Sequence, residues 1–177
     1  MPIIKTKTSL GDKYPIEEEG PVGTFCATLV DFYCRFNVER PTFENRDVME
    51  RKDLVSALFQ YVDNEGKKWF VQTFDMTMSA SEKSKLYKML KDLRGSPPPF
   101  DGESYDFCSE IGKPCQITVA KRTSQKGTTY LTVDGVSQIL SEVAHKCPKV
   151  EDAEIPGGRK SDLPAADIED QSEDSPF

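Results

Sequence analysis

One helical signal stands between two pairs of strand-like runs, and that order limits the folds open to this chain more than any other feature. Ser79 followed three residues later by Glu82 reads as a capping box, and Leu86, Leu90 and Leu93 then recur at the spacing of one helical face. Gly95 ends the helix, and Pro97 to Pro99 keep it from resuming. Before it, Thr24 to Phe36 is dense in aromatic and β-favouring residues and reads as a first strand. Asp53 to Val62 and Lys67 to Met78 read as a hairpin whose turn chemistry comes from Asn64 and Gly66. After the helix, Cys115 to Lys121 and Thr128 to Val133 pair about a basic turn, Arg122 to Gly127. Pro41 to Lys52, charged and aperiodic, is expected to be a long loop, and residues 136–147 suit either a short helix or an extended edge. Five strands with one helix between the third and fourth give a mainly β chain in the element order of the OB-fold, a small Greek-key barrel.

The charge distribution bounds the domain. Ser161 to Phe177 holds six carboxylates and no basic residue and ends in Pro176-Phe177. Such a segment buries too little apolar surface to fold alone, so residues 148–177 are expected to form a disordered acidic tail with one large apolar group at its tip. Nine of the 30 acidic and two of the 23 basic residues lie in 150–177, which leaves 21 of each in Met1 to Lys149. The net charge of −7 therefore belongs to the tail, and the neutral body has room for a basic groove. The expected division is an N-terminal arm at 1–22, a domain at 23–147 and the tail at 148–177. Residues 1–14 contain no apolar stretch of signal-peptide length and no run approaches ~20 apolar residues, so a soluble cytoplasmic protein without a membrane partner is expected. Five cysteines at irregular spacings argue against a disulfide framework and for free, mostly buried thiols.

A barrel of this kind binds single-stranded nucleic acid across its second and third strands, with cations for phosphates and aromatic faces for bases. Ten residues are placed to do so. Tyr33 and Arg35 alternate on the first strand; Tyr61, Lys67, Lys68 and Trp69 flank the first hairpin turn; Lys121, Arg122, Lys126 and Tyr130 surround the second. If Phe70, Phe74 and Met76 face inward, Trp69 and Thr73 face outward, and an exposed tryptophan needs a partner. The competing reading is that strand aromatics fill the core and hairpin lysines are merely solvated. The tail, an anion tethered to a cationic groove, would compete with nucleic acid at an effective concentration on the order of millimolar. Once released, Glu173, Asp174, Pro176 and Phe177 would dock on a protein partner.

Catalysis finds little support. His145 is the only histidine, and with Cys147 it supplies two metal ligands but no second pair at zinc-site spacing. No Gly-rich phosphate loop with a following Lys occurs, so no catalytic residue, metal or cofactor is expected.

Glu173-Asp174-Ser175-Pro176-Phe177 resembles the tails of bacterial single-stranded DNA-binding proteins, which end in several acids and Pro-Phe, with Ser175 standing where those tails carry an apolar residue. Glu82 to Leu86, Leu93-Arg94-Gly95 and Ile111 to Cys115 resemble a group of small phage-encoded single-strand binders with an OB-fold, over residues 23 to 140. The resemblance implies a protein of bacteriophage DNA replication or DNA recombination that coats single-stranded DNA and recruits replication or recombination proteins through its tail. Self-association stays open. Two rivals remain: an acidic adaptor or DNA-mimic inhibitor of a nucleic-acid enzyme, and a metal-dependent nuclease.

Overall fold

The computed structural model describes residue 14 and residues 20–42, 44–99 and 106–158. The tail tip, with Glu173, Asp174, Pro176 and Phe177, lies outside the described residues, as does most of the 1–22 arm. No helix among the described residues is long and apolar enough to cross a membrane.

The fold is mainly β: one antiparallel sheet of six strands, not five. They are β1 (Gly23–Pro41), β2 (Met49–Val62), β3 (Lys68–Gln72), β4 (Met76–Thr77), β5 (Pro114–Thr123) and β6 (Thr129–Ser137). Their order is β3-β2-β1-β5-β6, with β4 also paired to β2. β1 is central. It pairs with β2 from Ala27↔Tyr61 to Pro41↔Met49 and with β5 from Gly23↔Val119 to Thr28↔Pro114. Two irregularities, between Leu29 and Asp31 and between Arg35 and Val38, bend it. The sheet coils so that its outer members β3 and β6 approach, yet among the described residues they share no ladder, so the sheet is open and the expected closed barrel is not formed.

The run expected as one strand over Lys67 to Met78 is divided in two by Thr73. The Thr73 hydroxyl accepts the Ala57 N–H at 2.9 Å and donates to the Phe74 carbonyl at 2.9 Å. A side chain thus takes a bond that the backbone ladder would have held, and the alternation is lost beyond it: Phe74 is 45 % exposed while Met76, two residues on, is in the core. The expected loop at Pro41 to Lys52 is also corrected. Residues 38–41 and 49–52 pair only with each other and extend past the sheet as a two-stranded ribbon. The connection at 42–48 is closed by the Thr42 N–H donating to Val48 O at 2.8 Å and the Thr42 hydroxyl donating to Asn45 O at 2.6 Å.

The helix, α1 (Lys85–Arg94), lies between β4 and β5 and begins later than the capping-box pattern predicts. Ser84 is its N-cap, accepting from Tyr87 N at 3.0 Å, whereas Ser79 holds the preceding turn through the Ser81 N–H. Its apolar face is the one expected: Leu86, Met89, Leu90 and Leu93 are buried. Gly95 closes it at φ 77°, its N–H bonded to Lys91 O at 2.7 Å. The ambiguous stretch 136–147 is extended only to Ser137, then passes through a turn into a single 3-10 turn at Ala144–Lys146.

Both faces of the central strands are covered. The inner face carries the main core, with Phe32, Phe59, Tyr61, Leu90 and Ile117 all essentially inaccessible. The outer face holds a second cluster of Tyr14, Val30 and Leu58, against which Tyr33, Phe70, Val150, Ala153 and Ile155 pack. Residues 148–155 therefore pack on the sheet rather than extending from it, and Thr28 donates its hydroxyl to Pro148 O. Tyr14, assigned to the arm, is buried with its hydroxyl on Asp31 Oδ2 at 2.8 Å. The five cysteines are free thiols; burial pushes Cys34 up to about 12 and Cys115 higher still, which keeps both protonated.

Gly95 offers a direct test of the helix end. A Cβ there would lie 2.3 Å from the Gln138 side chain, whose amide donates to Arg94 O at 2.9 Å, and φ is in the left-handed region. Gly95→Ala is expected to destabilise the chain by about 1 to 2 kcal/mol, read by urea unfolding.

Candidate nucleic-acid interface

The fold scatters the ten residues expected to bind nucleic acid. Tyr61 is fully buried: its ring lies 5.0 Å from that of Phe25, and its hydroxyl donates to Pro21 O at 3.0 Å. Burial pushes its phenol up to about 12, so it is a neutral core donor and no stacking platform. Trp69 lies opposite Tyr61 and packs toward the same core, so the expected alternation is inverted: Trp69 and Val71 point inward, and Phe70 joins the outer cluster. The Trp69 ring is already engaged. Lys67 Nζ sits 4.1 Å from its centroid, its indole N–H donates to Asp63 Oδ2 at 2.9 Å, and a Cβ on Gly20 would come within 3.1 Å of it. Lys67 thus serves the tryptophan, while Lys68 is exposed on the same hairpin.

Tyr33 belongs to the outer cluster, its ring edge-on to Tyr14 at 6.3 Å, and Arg35 lies over it at 5.7 Å while pairing with Asp75. On the second hairpin, Lys121 and Lys126 are exposed, and Arg122 is paired with Asp134. Tyr130, directly opposite Arg122, is half-buried, as are Tyr33 and Trp69. It meets Phe74 edge to face at 5.6 Å.

That contact marks a different site. On one side of Phe74 and Asp75 the base of the ribbon encloses an open cleft of about 320 Å³, lined by Arg40, Arg46 and Lys52 with Thr42, Thr77, Asp75 and Glu50. On the other side a second cleft of about 300 Å³ runs between β4, α1 and β6, lined by Phe74, Met76, Met89, Val133 and Val136 together with Lys85, Asp92 and Asp134. Phe74 is exposed at the junction of the two clefts, and of the other exposed large apolar residues Met49 lies on the ribbon, with Phe36 before it and Val48 in its connection, while Val22 and Leu140 lie elsewhere in the chain. A cation-lined groove beside an exposed ring pair can hold a phosphate and a base together.

Arg40, Arg46, Lys52 and Phe74 were missed from sequence for identifiable reasons. Arg46 and Lys52 lie in the stretch read as a loop, Pro41 to Lys52, and Arg40 immediately before it, although the alternating Glu50, Lys52, Leu54 against Met49, Arg51, Asp53 is the pattern of a two-faced ribbon. Phe74 is read as inward together with Phe70, but the alternation is inverted: Phe70 joins the outer cluster and Phe74 is exposed. No family model matches this chain, and no curated protein matches it.

The Trp69 latch has a defined pH dependence. The indole N–H, followed by the Lys67 backbone N–H, holds the Asp63 carboxyl below its ordinary 3.8. A carboxyl lowered in the folded state stabilises it above the ordinary carboxylate range and loses that contribution as pH falls through the lowered value. Trp69 emission is therefore expected to stay constant down to about pH 4 and to change only below it, and Asp63→Asn should give the acid-form spectrum at pH 7.

Proposed function

We propose that this chain is a single-stranded DNA-binding protein with an OB-like body, of the kind used in bacteriophage replication or recombination, acting without catalysis. The observation that carries the reading is the juxtaposition of the Phe74–Tyr130 ring pair with the Arg40, Arg46 and Lys52 cleft, one residue apart along the chain at Phe74 and Asp75. A base stacked on Phe74 is worth about 1 to 3 kcal/mol whatever its identity, because every base offers a π-face. Its phosphate then falls toward the ribbon cations, and a duplex, whose bases are stacked on each other, has no free face to offer. The sheet order supports the OB-like assignment: β3-β2-β1-β5-β6, with a helix filling the gap before β5 and the outer members drawn together, has the connectivity of that barrel left open at its seam.

The acidic tail, with Glu173, Asp174, Pro176 and Phe177, is proposed to contact partner proteins, as its resemblance implies. The ordered segment before it adds Glu151, Asp152 and Glu154 to the surface of the outer cluster, so the outer sheet face is apolar beneath and anionic above. That charge steers the strand toward the ribbon side.

Titration of labelled oligo(dT) and of duplex by fluorescence anisotropy tests the reading. Single strands should bind more tightly than duplex at low salt, with a steep loss on adding salt. Phe74→Ala should weaken binding about tenfold and leave the salt slope unchanged, and Arg46→Gln should lower the slope by about 0.7. Equal binding of single strand and duplex, or Trp69→Phe being costlier than Phe74→Ala, would contradict the site.

A further inference from the structure

We propose that Asp75 is the resident anion of the ribbon cleft, holding Arg40 in the place of a DNA phosphate and releasing it when the strand arrives. The inference rests on the single-strand reading above and names the residue that sets affinity at that site.

Arg35 and Arg40 converge on one oxygen, Oδ2 of Asp75: Arg40 Nη1 lies at 3.2 Å and Arg35 Nη2 closer. The two cations differ in what they would lose. The Arg35 side chain is 10 % exposed and lies over the Tyr33 ring, whereas that of Arg40 is 47 % exposed on the ribbon. A buried guanidinium needs its counter-charge, so Arg35 keeps Asp75. A guanidinium half in water gains little from an ion pair, so Arg40 can leave at small cost. Arg40 also lines the cleft with Arg46 and Lys52, and a guanidinium binds phosphate with the same two-pronged geometry that it offers a carboxylate.

The exchange would couple the two halves of the site. Asp75 follows Phe74 directly, so a base stacked on the ring brings its phosphate within reach of the guanidinium that Asp75 releases. Asp75 is thus a positioning residue acting through Arg40. The competing role, a tie that merely holds the ribbon to the sheet, predicts the opposite sign, since cutting a tie loosens the site and weakens binding.

The test is a double-mutant cycle of Asp75→Asn and Arg40→Gln, with oligo(dT) affinity followed across a salt series. Asp75→Asn is expected to bind about fivefold more tightly at low salt, because Arg40 no longer has to be drawn from a resident anion. Its salt slope should match that of the wild type, since Arg40 meets the phosphate in both. In the Arg40→Gln background the same change should alter affinity by less than about twofold. Weaker or unchanged binding by Asp75→Asn overturns the inference, and so does a gain that persists undiminished without Arg40. Should Asp75→Asn fail to fold, Arg35→Gln/Asp75→Asn removes the buried cation with its partner and carries the same comparison. Wild-type protein that binds no oligo(dT) ends the functional reading instead. Tripolyphosphate then reads the cleft alone by thermal unfolding: greater stabilisation of Asp75→Asn than of wild type keeps the resident anion, and equal stabilisation overturns it.

Discussion

β1 joins the two halves of the sheet, pairing with β5 over Gly23 to Thr28 and with β2 from Ala27 to Pro41, and both of its bends fall in the ladder that it shares with β2. The first bulge, between Leu29 and Asp31, falls where the strand is buried on both faces, and it lets inner and outer clusters share one backbone. The second, between Arg35 and Val38, falls where the sheet ends and the ribbon begins. There Asn37 takes φ 56°, its N–H donates to Asp53 Oδ1 at 2.8 Å, and its carbonyl accepts from Arg51 at 3.0 Å. A residue that tolerates the left-handed region, held from both sides, fixes the angle at which the cationic ribbon leaves the body. Without that bend the ribbon would continue the sheet, away from Phe74.

Burial on two faces explains why the aromatic residues are poor guides to a binding surface. A sheet with one solvated face shows its outward rings to water, but here the outer face is covered by Tyr14 and by Val150, Ala153 and Ile155. Most rings on β1 and β2 are consumed by packing, Phe36 at the end of the sheet being exposed. The proposed binding surface lies at the open seam and on the ribbon, where Phe74 is exposed beside Tyr130. The polar cost of breaking a strand is met locally, since the Thr73 hydroxyl satisfies both Ala57 N–H and Phe74 C=O.

Much of the architecture was legible in the sequence, because its strongest signals are local. The helix face of Leu86, Leu90 and Leu93, the stop at Gly95 and the second hairpin depend on residues within a few positions of each other, and all are found. The site was far less legible. The facing of β3 is the inverse of the one its alternation suggests, the cations lie in a ribbon whose ends pair with nothing else, and the rings that looked free are held by distant partners such as Gly20 and Pro21. Those are long-range facts, invisible to periodicity. Tyr130 alone of the predicted rings reached the site, and it did so through a partner, Phe74, assigned to the interior.

The central claim is that a single strand crosses the seam at Phe74 and Tyr130 and passes its phosphates to the ribbon. Ultraviolet cross-linking of oligo(dT) followed by peptide mass spectrometry reads that path at residue resolution. Adducts on Phe74 or Tyr130, with neighbours on the ribbon between Phe36 and Lys52, are the result this account predicts. Adducts confined to Trp69 and the 63–68 turn, with the seam unmodified, would contradict it.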